Sequence, residues 1–245
     1  MFKKIFKFLL FMQIKKGHKE LNILINNNVF KPTGTSQLLI QAATKKINPK
    51  KKILDLGCGS GIVGITLAKN LNIKSKIYFS DISKYACKNT LVNCKKFKIK
   101  NEIRKGSILN PWLNCKFNYI ISDVAAIAEK ISKISPWYKN CINNSGEDGT
   151  GHIVKIIRSV KNNLYKNGLF IFPVISLSNE KKIIKELKKN FKYYKKVDSK
   201  VWPMPIQMSK NLKLLKKLKK KQTINYQEKL GMLTFKTDIY IAKKQ

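Results

Sequence analysis

Three carboxylates and one hydroxyl fall where a strand gives way to a loop, and their spacing is the first sign of chemistry in this chain. Residues 53 to 61 read Ile-Leu-Asp-Leu-Gly-Cys-Gly-Ser-Gly. This is a short apolar strand with an acid near its end, then glycine at every second position. Asp55 supplies an acceptor there. Gly57, Gly59 and Gly61 let the backbone turn tightly and lie flat against a group that a Cβ would push away. The following run, Ile62 to Ala68, reads as a helix whose N-terminus points at the same place. A strand, a glycine loop and a helix in this order form a nucleotide-type site. Asp81 ends a second strand, where its two oxygens suit the two hydroxyls of a ribose. Its other reading is a cap for the next helix, a job for which Ser83 competes. Ser107 follows a third strand and Asp123 a fourth.

Two nucleotide frames overlap here. Gly59-Ser60-Gly61-Ile62-Val63-Gly64 matches the dinucleotide pattern G-x-G-x-x-G, but out of register. The strand already ends at Leu56, so the turn begins at Gly57, and the dinucleotide pattern needs no acid inside the strand end. The frame Asp55-x-Gly57-x-Gly59-x-Gly61 fits better.

The elements that must position these residues are legible as alternating patterns. Strands are expected at Lys52 to Leu56, Lys76 to Asp81, Glu102 to Lys105, Phe117 to Ser122, Leu169 to Ser176, Tyr193 to Lys200 and Met232 to Ala242. Helices are expected from Gln37, with Ser36 as N-cap, and over Lys84 to Lys96, Gly151 to Tyr165 and Glu180 to Asn190. Strands alternating with helices imply an α/β fold: a doubly wound, mostly parallel, seven-stranded sheet with helices on both faces. Its ligand crevice lies at the carboxyl ends of the strands, where Asp55, Asp81, Ser107 and Asp123 all fall. Residues 1–35 read as an N-terminal helix and a hairpin around the Asn26–Asn28 run, and residues 36–245 as the main domain.

The chain has 245 residues and a formal charge of +38. Such a charge can hold polyanions by counterion release. Only Arg104 and Arg158 are arginines, however, and lysine, asparagine and isoleucine abound. That pattern equally fits a compositional bias, since phosphate forks favour arginine. The five cysteines form no Cys-x-x-Cys pair and point to a reducing compartment. His18 and His152 stand alone, read as surface or loop residues, and no metal site is expected. The run Met1 to Met12 is apolar but short and broken by Lys7. It reads as a helix packed on the domain or reaching toward a substrate, not as a membrane anchor.

The Asp55–Gly61 frame resembles motif I of the class I S-adenosylmethionine-dependent methyltransferases. Further pieces, in chain order, are similar to the release-factor glutamine methyltransferase family over roughly residues 30 to 190. They are Pro32 with the threonine-rich helix start, Asp81, Ile121-Ser-Asp123, and Ser145-Gly-Glu-Asp-Gly149. The Pro-Thr-Gly-Thr segment, and a fourth strand followed by no proline, also resemble ribosomal-protein methyltransferases. The resemblance implies a Rossmann-like methyltransferase fold with S-adenosylmethionine held by Gly57, Gly59, Gly61 and Asp81. It places Asp55 near the methionine moiety, and Ser107 where the family often carries an acid for the adenine amino group. Asp123 would lie beside the transferred methyl and position a nitrogen acceptor; its other reading is a cap for a helix over Val124 to Lys130.

The chain departs from the glutamine-methylating pattern after the fourth strand. The family carries Asn-Pro-Pro-Tyr there; the aligned residues here are Asp123-Val124-Ala125-Ala126. Without the prolines and the aromatic, a flat substrate loses its platform, which favours a flexible amine such as a lysine or an N-terminus. Trp137 and Tyr138 are candidates for a replacement aromatic wall, or else pack the loop onto the domain. Glu129 reads as part of a solvated helix face. The expectation is N-methylation of a protein of the translation apparatus in the cytoplasm, with RNA or ribosome contact suited to the charge and no membrane role. The alternatives are methylation of an rRNA or tRNA base, and a binding module that keeps the cofactor without turnover.

Overall fold

Apolar, β-branched runs closed by lysine, asparagine or glycine turns form the strands, and capped amphipathic runs form the helices. The computed structural model describes residues 8–9, 21–124, 126–138, 141 and 143–245. In chain order the strands are β1 (Phe8–Leu9), β2 (Leu24–Ile25), β3 (Ile53–Leu56), β4 (Ile77–Asp81), β5 (Asn101–Lys105), β6 (Phe117–Ser122), β7 (Leu164–Ile175), β8 (Tyr193–Pro203), β9 (Gln227–Lys229) and β10 (Met232–Lys243). The α-helices are α1 (Gly34–Thr44), α2 (Ile62–Asn70), α3 (Lys84–Lys96), α4 (Glu129–Ser132), α5 (Gly151–Ser159), α6 (Glu180–Asn190), α7 (Ile206–Ser209) and α8 (Leu212–Lys220).

The main sheet runs β5-β4-β3-β6-β7-β10-β8, with β9 joined to β10 beside that path as an eighth strand. The sequence pattern predicts seven strands, and the short β9 is the addition. Strands β3 to β7 pair in parallel, whereas β10 runs antiparallel to both β7 and β8. Parallel register sets the strand ends level: Leu56 lies opposite both Ser80 and Ser122, and Asp81 opposite Lys105. The loops after β3, β4, β5 and β6 therefore open on one edge.

Alternation along each strand then decides which face each acid takes. Ile53, Ile77, Phe79 and Ile121 pack in one core with α1, α2 and α3, while Leu54, Leu56 and Ile120 pack in another with α5 and α6. Asp55, Asp81 and Asp123 share the parity of the first set, so all three lie on the α1–α3 face. Fully buried Phe79, Phe117, Phe170 and Phe172 anchor the layers, each contributing about 1.5–3 kcal/mol.

The structure corrects several local expectations. No hairpin forms around Asn26–Asn28; Leu24–Ile25 pairs instead with Phe8–Leu9. The remainder of the expected N-terminal helix, and His18, lie outside the described residues. Thr33, not Ser36, caps α1, and Ser36 occupies the third helical position of the same capping box. The helix from Gly151 ends at Ser159 in a short 3-10 turn, and β7 starts earlier than expected, at Leu164. Between β8 and β10 the chain carries α7, α8 and β9, where the sequence pattern marks no element. No helix among the described residues is long and apolar enough to cross a membrane.

Candidate active site

The glycine loop is pinned from three sides. The N–H groups of Gly57 and Cys58 both donate to the Ser80 carbonyl, at 2.8 and 3.0 Å. Asp81 holds the loop with one oxygen and its own helix start with the other: Gly59 N–H donates to Oδ2 at 3.0 Å and Ser83 N–H to Oδ1 at 2.9 Å. Buried polar residues of α3 close the third side. Thr90 Oγ1 donates to the Gly59 carbonyl, and Asn93 Nδ2 donates to the carbonyls of Ser60 and Leu24. Gly57 has φ +74°, and a Cβ there would lie 2.2 Å from Val124 Cγ1. Any side chain there would strain the backbone and displace Val124.

Asp55 sits behind the loop rather than on a cavity wall. It is fully buried, and its Oδ2 accepts from Gly64 N–H at 2.8 Å in the first turn of α2, while Oδ1 has no partner. Strand parity explains this position, because Asp55 points at α2 instead of out of the strand end. Burial pushes its carboxyl up to about 7, against the pull of the Gly64 bond, and the neighbouring charges of Asp123 and Asp81 add to the rise. Gly61 likewise leaves the wall and serves as the left-handed N-cap of α2.

A cavity of about 620 Å³ opens on the sheet edge, within the range of ligand sites. Its walls bring together Gly57, Cys58, Gly59, Asp81, Ser107 and Asp123, and add Ile82, Ile108 and His152. Burial raises the Asp81 carboxyl, and the Ser83 and Gly59 N–H groups oppose the rise. Ile82 is 70% exposed directly after Asp81. With Ile108 also in the wall, this uncovered isoleucine gives the cavity an apolar side next to Asp81. His152 is thus part of the cavity and not a bystander; burial is the main cause of its lowered pKa.

Asp123 joins this cavity to a second one. Ser36 Oγ accepts from Thr33 N–H and donates to Asp123 Oδ2 at 2.5 Å, so α1 aims the carboxylate. Burial pushes Asp123 up to about 7, against that hydrogen bond. Asp123 caps no helix, since α4 begins only at Glu129. The second cavity, about 220 Å³, is lined by Phe30, Thr33, Asp123, Trp137, Tyr138, Trp202, Pro205 and Phe235, among others. Three residues line both cavities: Phe30, Asp123 and Tyr138. Phe30 and Tyr138 pack with ring centroids 5.1 Å apart, and Trp137 and Phe235 with centroids 5.3 Å apart.

The aromatics of the smaller cavity come from four separate places in the chain. Trp137 and Tyr138 line the cavity and also pack against the apolar cluster of Ile127, Ile131 and Phe235, so the geometry fits both of their sequence readings. Phe30, Trp202 and Phe235 escape the sequence reading, because the wide separation of these aromatics along the chain hides the pattern. Glu129 pairs with Lys133 at 3.0 Å on the outer side of α4. Ala125 lies outside the described residues.

A glycine loop, a strand-end acid on the neighbouring strand and a β5-β4-β3-β6-β7-β10-β8 sheet define a class I S-adenosylmethionine-dependent methyltransferase architecture. Residues 20–124 match the family model of the methyltransferase small domain. The release factor glutamine methyltransferase of Borreliella burgdorferi is 31% identical over 193 residues, 75% of this chain and 66% of that protein. The ribosomal protein L11 methyltransferase of Alkaliphilus oremlandii is 29% identical over 157 residues, 63% of this chain and 49% of that protein. Among solved structures, a 16S rRNA N2 methyltransferase of T. thermophilus in complex with AdoMet and guanosine aligns with a TM-score of 0.60 at 13% identity. It covers 96% of this chain and 50% of that one, and shows the shared fold. The chain spans between 48% and 66% of the length of three release factor glutamine methyltransferases it matches. The family model, these relatives and the shared fold make the chain similar to the S-adenosylmethionine-dependent methyltransferases, release-factor glutamine and ribosomal-protein enzymes among them.

The residues present fit that cofactor. The loop at Gly57 and Gly59 presents backbone without side chains, Asp81 offers carboxylate oxygens on the wall, and the side at Ile82 and Ile108 is apolar.

Proposed function

We propose that this chain methylates a primary amine, a lysine side chain or an N-terminus, on a protein of the translation apparatus. The observation that carries the reading is the meeting of two cavities at Phe30, Asp123 and Tyr138. Gly57, Gly59 and Asp81 would hold S-adenosylmethionine in the larger cavity, with Ser107 at its far wall and Asp55 supporting the loop from behind. S-adenosylmethionine supplies an electrophilic methyl group on a sulfonium. The smaller cavity takes the acceptor.

The walls of the smaller cavity suit an amine in two ways. Aromatic faces attract an ammonium group, and the same apolar walls disfavour the charged form of an amine once it is desolvated. Asp123, raised to about 7, is the carboxylate within reach. An N–H proton of the ammonium passes to an Asp123 oxygen, which leaves the nitrogen lone pair free to attack the methyl carbon. Ser36 keeps the carboxylate aimed, and Asp123 then returns its proton to solvent. Alignment of this kind is worth roughly 7–11 kcal/mol when the attack geometry is good. The names of relatives that act on a release factor and on ribosomal protein L11 support a protein substrate, and a cytoplasmic location goes with that reading.

A nucleobase acceptor is the second reading, favoured by the same ring-lined cavity, since bases stack on aromatic side chains. The test is transfer of labelled methyl from S-adenosylmethionine into ribosomal fractions, followed by digestion. Label released by protease as methylated amine supports the proposal. Label released by ribonuclease moves the assignment to the second reading. Cofactor binding without any transfer would leave a binding module.

A further inference from the structure

Residues 204–231, inserted between β8 and β10, carry Lys210, Lys213, Lys216, Lys217, Lys219, Lys220, Lys221 and Lys229 against a single acid, Glu228. All eight lysines are exposed. On α8, Lys213, Lys216, Lys217 and Lys220 recur at helical spacing and make one face. The opposite face buries Leu215 and Leu218. Those two leucines sit in the same apolar cluster as Ile127, Phe235, Trp137, Tyr138 and Trp202, which line the acceptor cavity. Pro203 and Pro205, at the root of the insertion, also line it. The charged face is thus fixed to the acceptor cavity by a shared core. Among the described residues none of the four face lysines is paired with a carboxylate.

A surface of this sign repels a free, basic, amine-bearing substrate. A polyanion beside the substrate reverses the sign of the interaction. The cations are lysines, which act as point charges and hold phosphates without reading sequence. We infer that the α7–α8 insertion docks an RNA phosphate backbone, so that the acceptor is presented on a ribonucleoprotein and not on a free protein. The presentation of the acceptor rests on the function proposed above; the docking surface does not.

The full chain with Lys213, Lys216, Lys217 and Lys220 all changed to Gln tests this, against a control in which Lys69, Lys88, Lys95 and Lys100, on α2, α3 and the loop before β5, are changed to Gln. Binding of a fluorescent single-stranded RNA is followed by anisotropy from 50 to 200 mM salt, with thermal melts confirming that both variants fold. Removing four phosphate-binding cations lowers the salt slope by about 3, so the parent protein weakens about 50-fold more than the variant across that range. The control keeps the parent slope. Equal losses in both variants, or none in the insertion variant, would overturn the docking surface. Polyglutamate bound as tightly as RNA, with the same dependence on the four lysines, would reassign it to an acidic protein. Methyl transfer to ribosomal particles should fall at least tenfold in the insertion variant while transfer to a free peptide amine does not fall. If no acceptor is methylated but RNA binding still depends on the four lysines, the proposed function fails and the docking surface stands.

Discussion

Substituting Asp123 by Asn should make the protein more stable and much less active, and both effects follow from one placement. The side chain is buried, and among the described residues Ser36 donates a hydrogen bond to it. Its carboxyl is raised from the usual value near 4 to about 7. Below about pH 4 both folded and unfolded chains carry the proton, and no penalty exists. Between about 4 and 7 the unfolded chain has released it while the folded one keeps it, so stability falls as pH rises. Above about 7 the full cost of ionising the folded group is present. Three units correspond to about 4 kcal/mol, an upper bound because solvent in the cavity relaxes around the charge. Asn accepts from Ser36 as the protonated acid does, without the charge. Urea unfolding should therefore show the variant more stable by on the order of 2–4 kcal/mol at pH 8 and nearly equal to the parent at pH 4. Asp55 is raised mainly by burial; the variant also removes the Asp123 charge that adds to that rise, which shifts the comparison in the same direction. Methyl transfer by the parent should rise with pH through about 7, and the variant should lose that rise together with about 10²–10³-fold of kcat. A variant that is less stable than the parent at pH 8, or that turns over within threefold of it, would refute both the burial argument and the proton-accepting role.

Other substitutions separate the two cavities. Asp81→Ala removes the acceptor on the cofactor wall and releases Gly59 and Ser83. Calorimetry should show S-adenosylmethionine affinity reduced by at least about 100-fold, and unchanged affinity would remove the assignment. Trp137→Ala opens only the smaller cavity, so KM for the acceptor should rise while cofactor affinity holds; a matching loss in cofactor affinity would argue against two distinct cavities. Gly57→Ala meets Val124 at 2.2 Å and a φ of +74°. It should destabilise the fold by about 1–3 kcal/mol, and adding Val124→Ala should recover only the packing share in thermal melts.

The sheet and the glycine loop with its neighbouring strand ends are legible in the sequence because they are local. The strand, glycine loop and helix of residues 53–70 form one continuous segment, and α3, β6 and α6 have the expected bounds because caps and turn residues flank them. Asp81 and Asp123 announce themselves as polar residues ending apolar strands. Asp55 does not, because its direction depends on strand parity against a helix whose packing the sequence does not display. The smaller cavity is hidden for a different reason. Its aromatics come from positions 30, 137, 138, 202 and 235, which only the closed sheet brings together. Ser36 looks like a cap by residue type, yet Thr33 takes that position and frees the serine hydroxyl for Asp123. The insertion with α8 has a helical apolar pattern, but its lysine content blends into a chain that is lysine-rich throughout. His152 reads as a bystander because a lone histidine in sequence carries no signal until α5 sets it in the cavity wall.

The most direct test of the central claim is to incubate the protein and its Asp123→Asn variant with labelled S-adenosylmethionine and ribosomal particles, and to locate the label by mass spectrometry after protease digestion. The account predicts label on a lysine or N-terminal amine of one protein with the parent, and none above background with the variant although it still binds the cofactor. Label on a nucleoside, or equal labelling by both proteins, would contradict it.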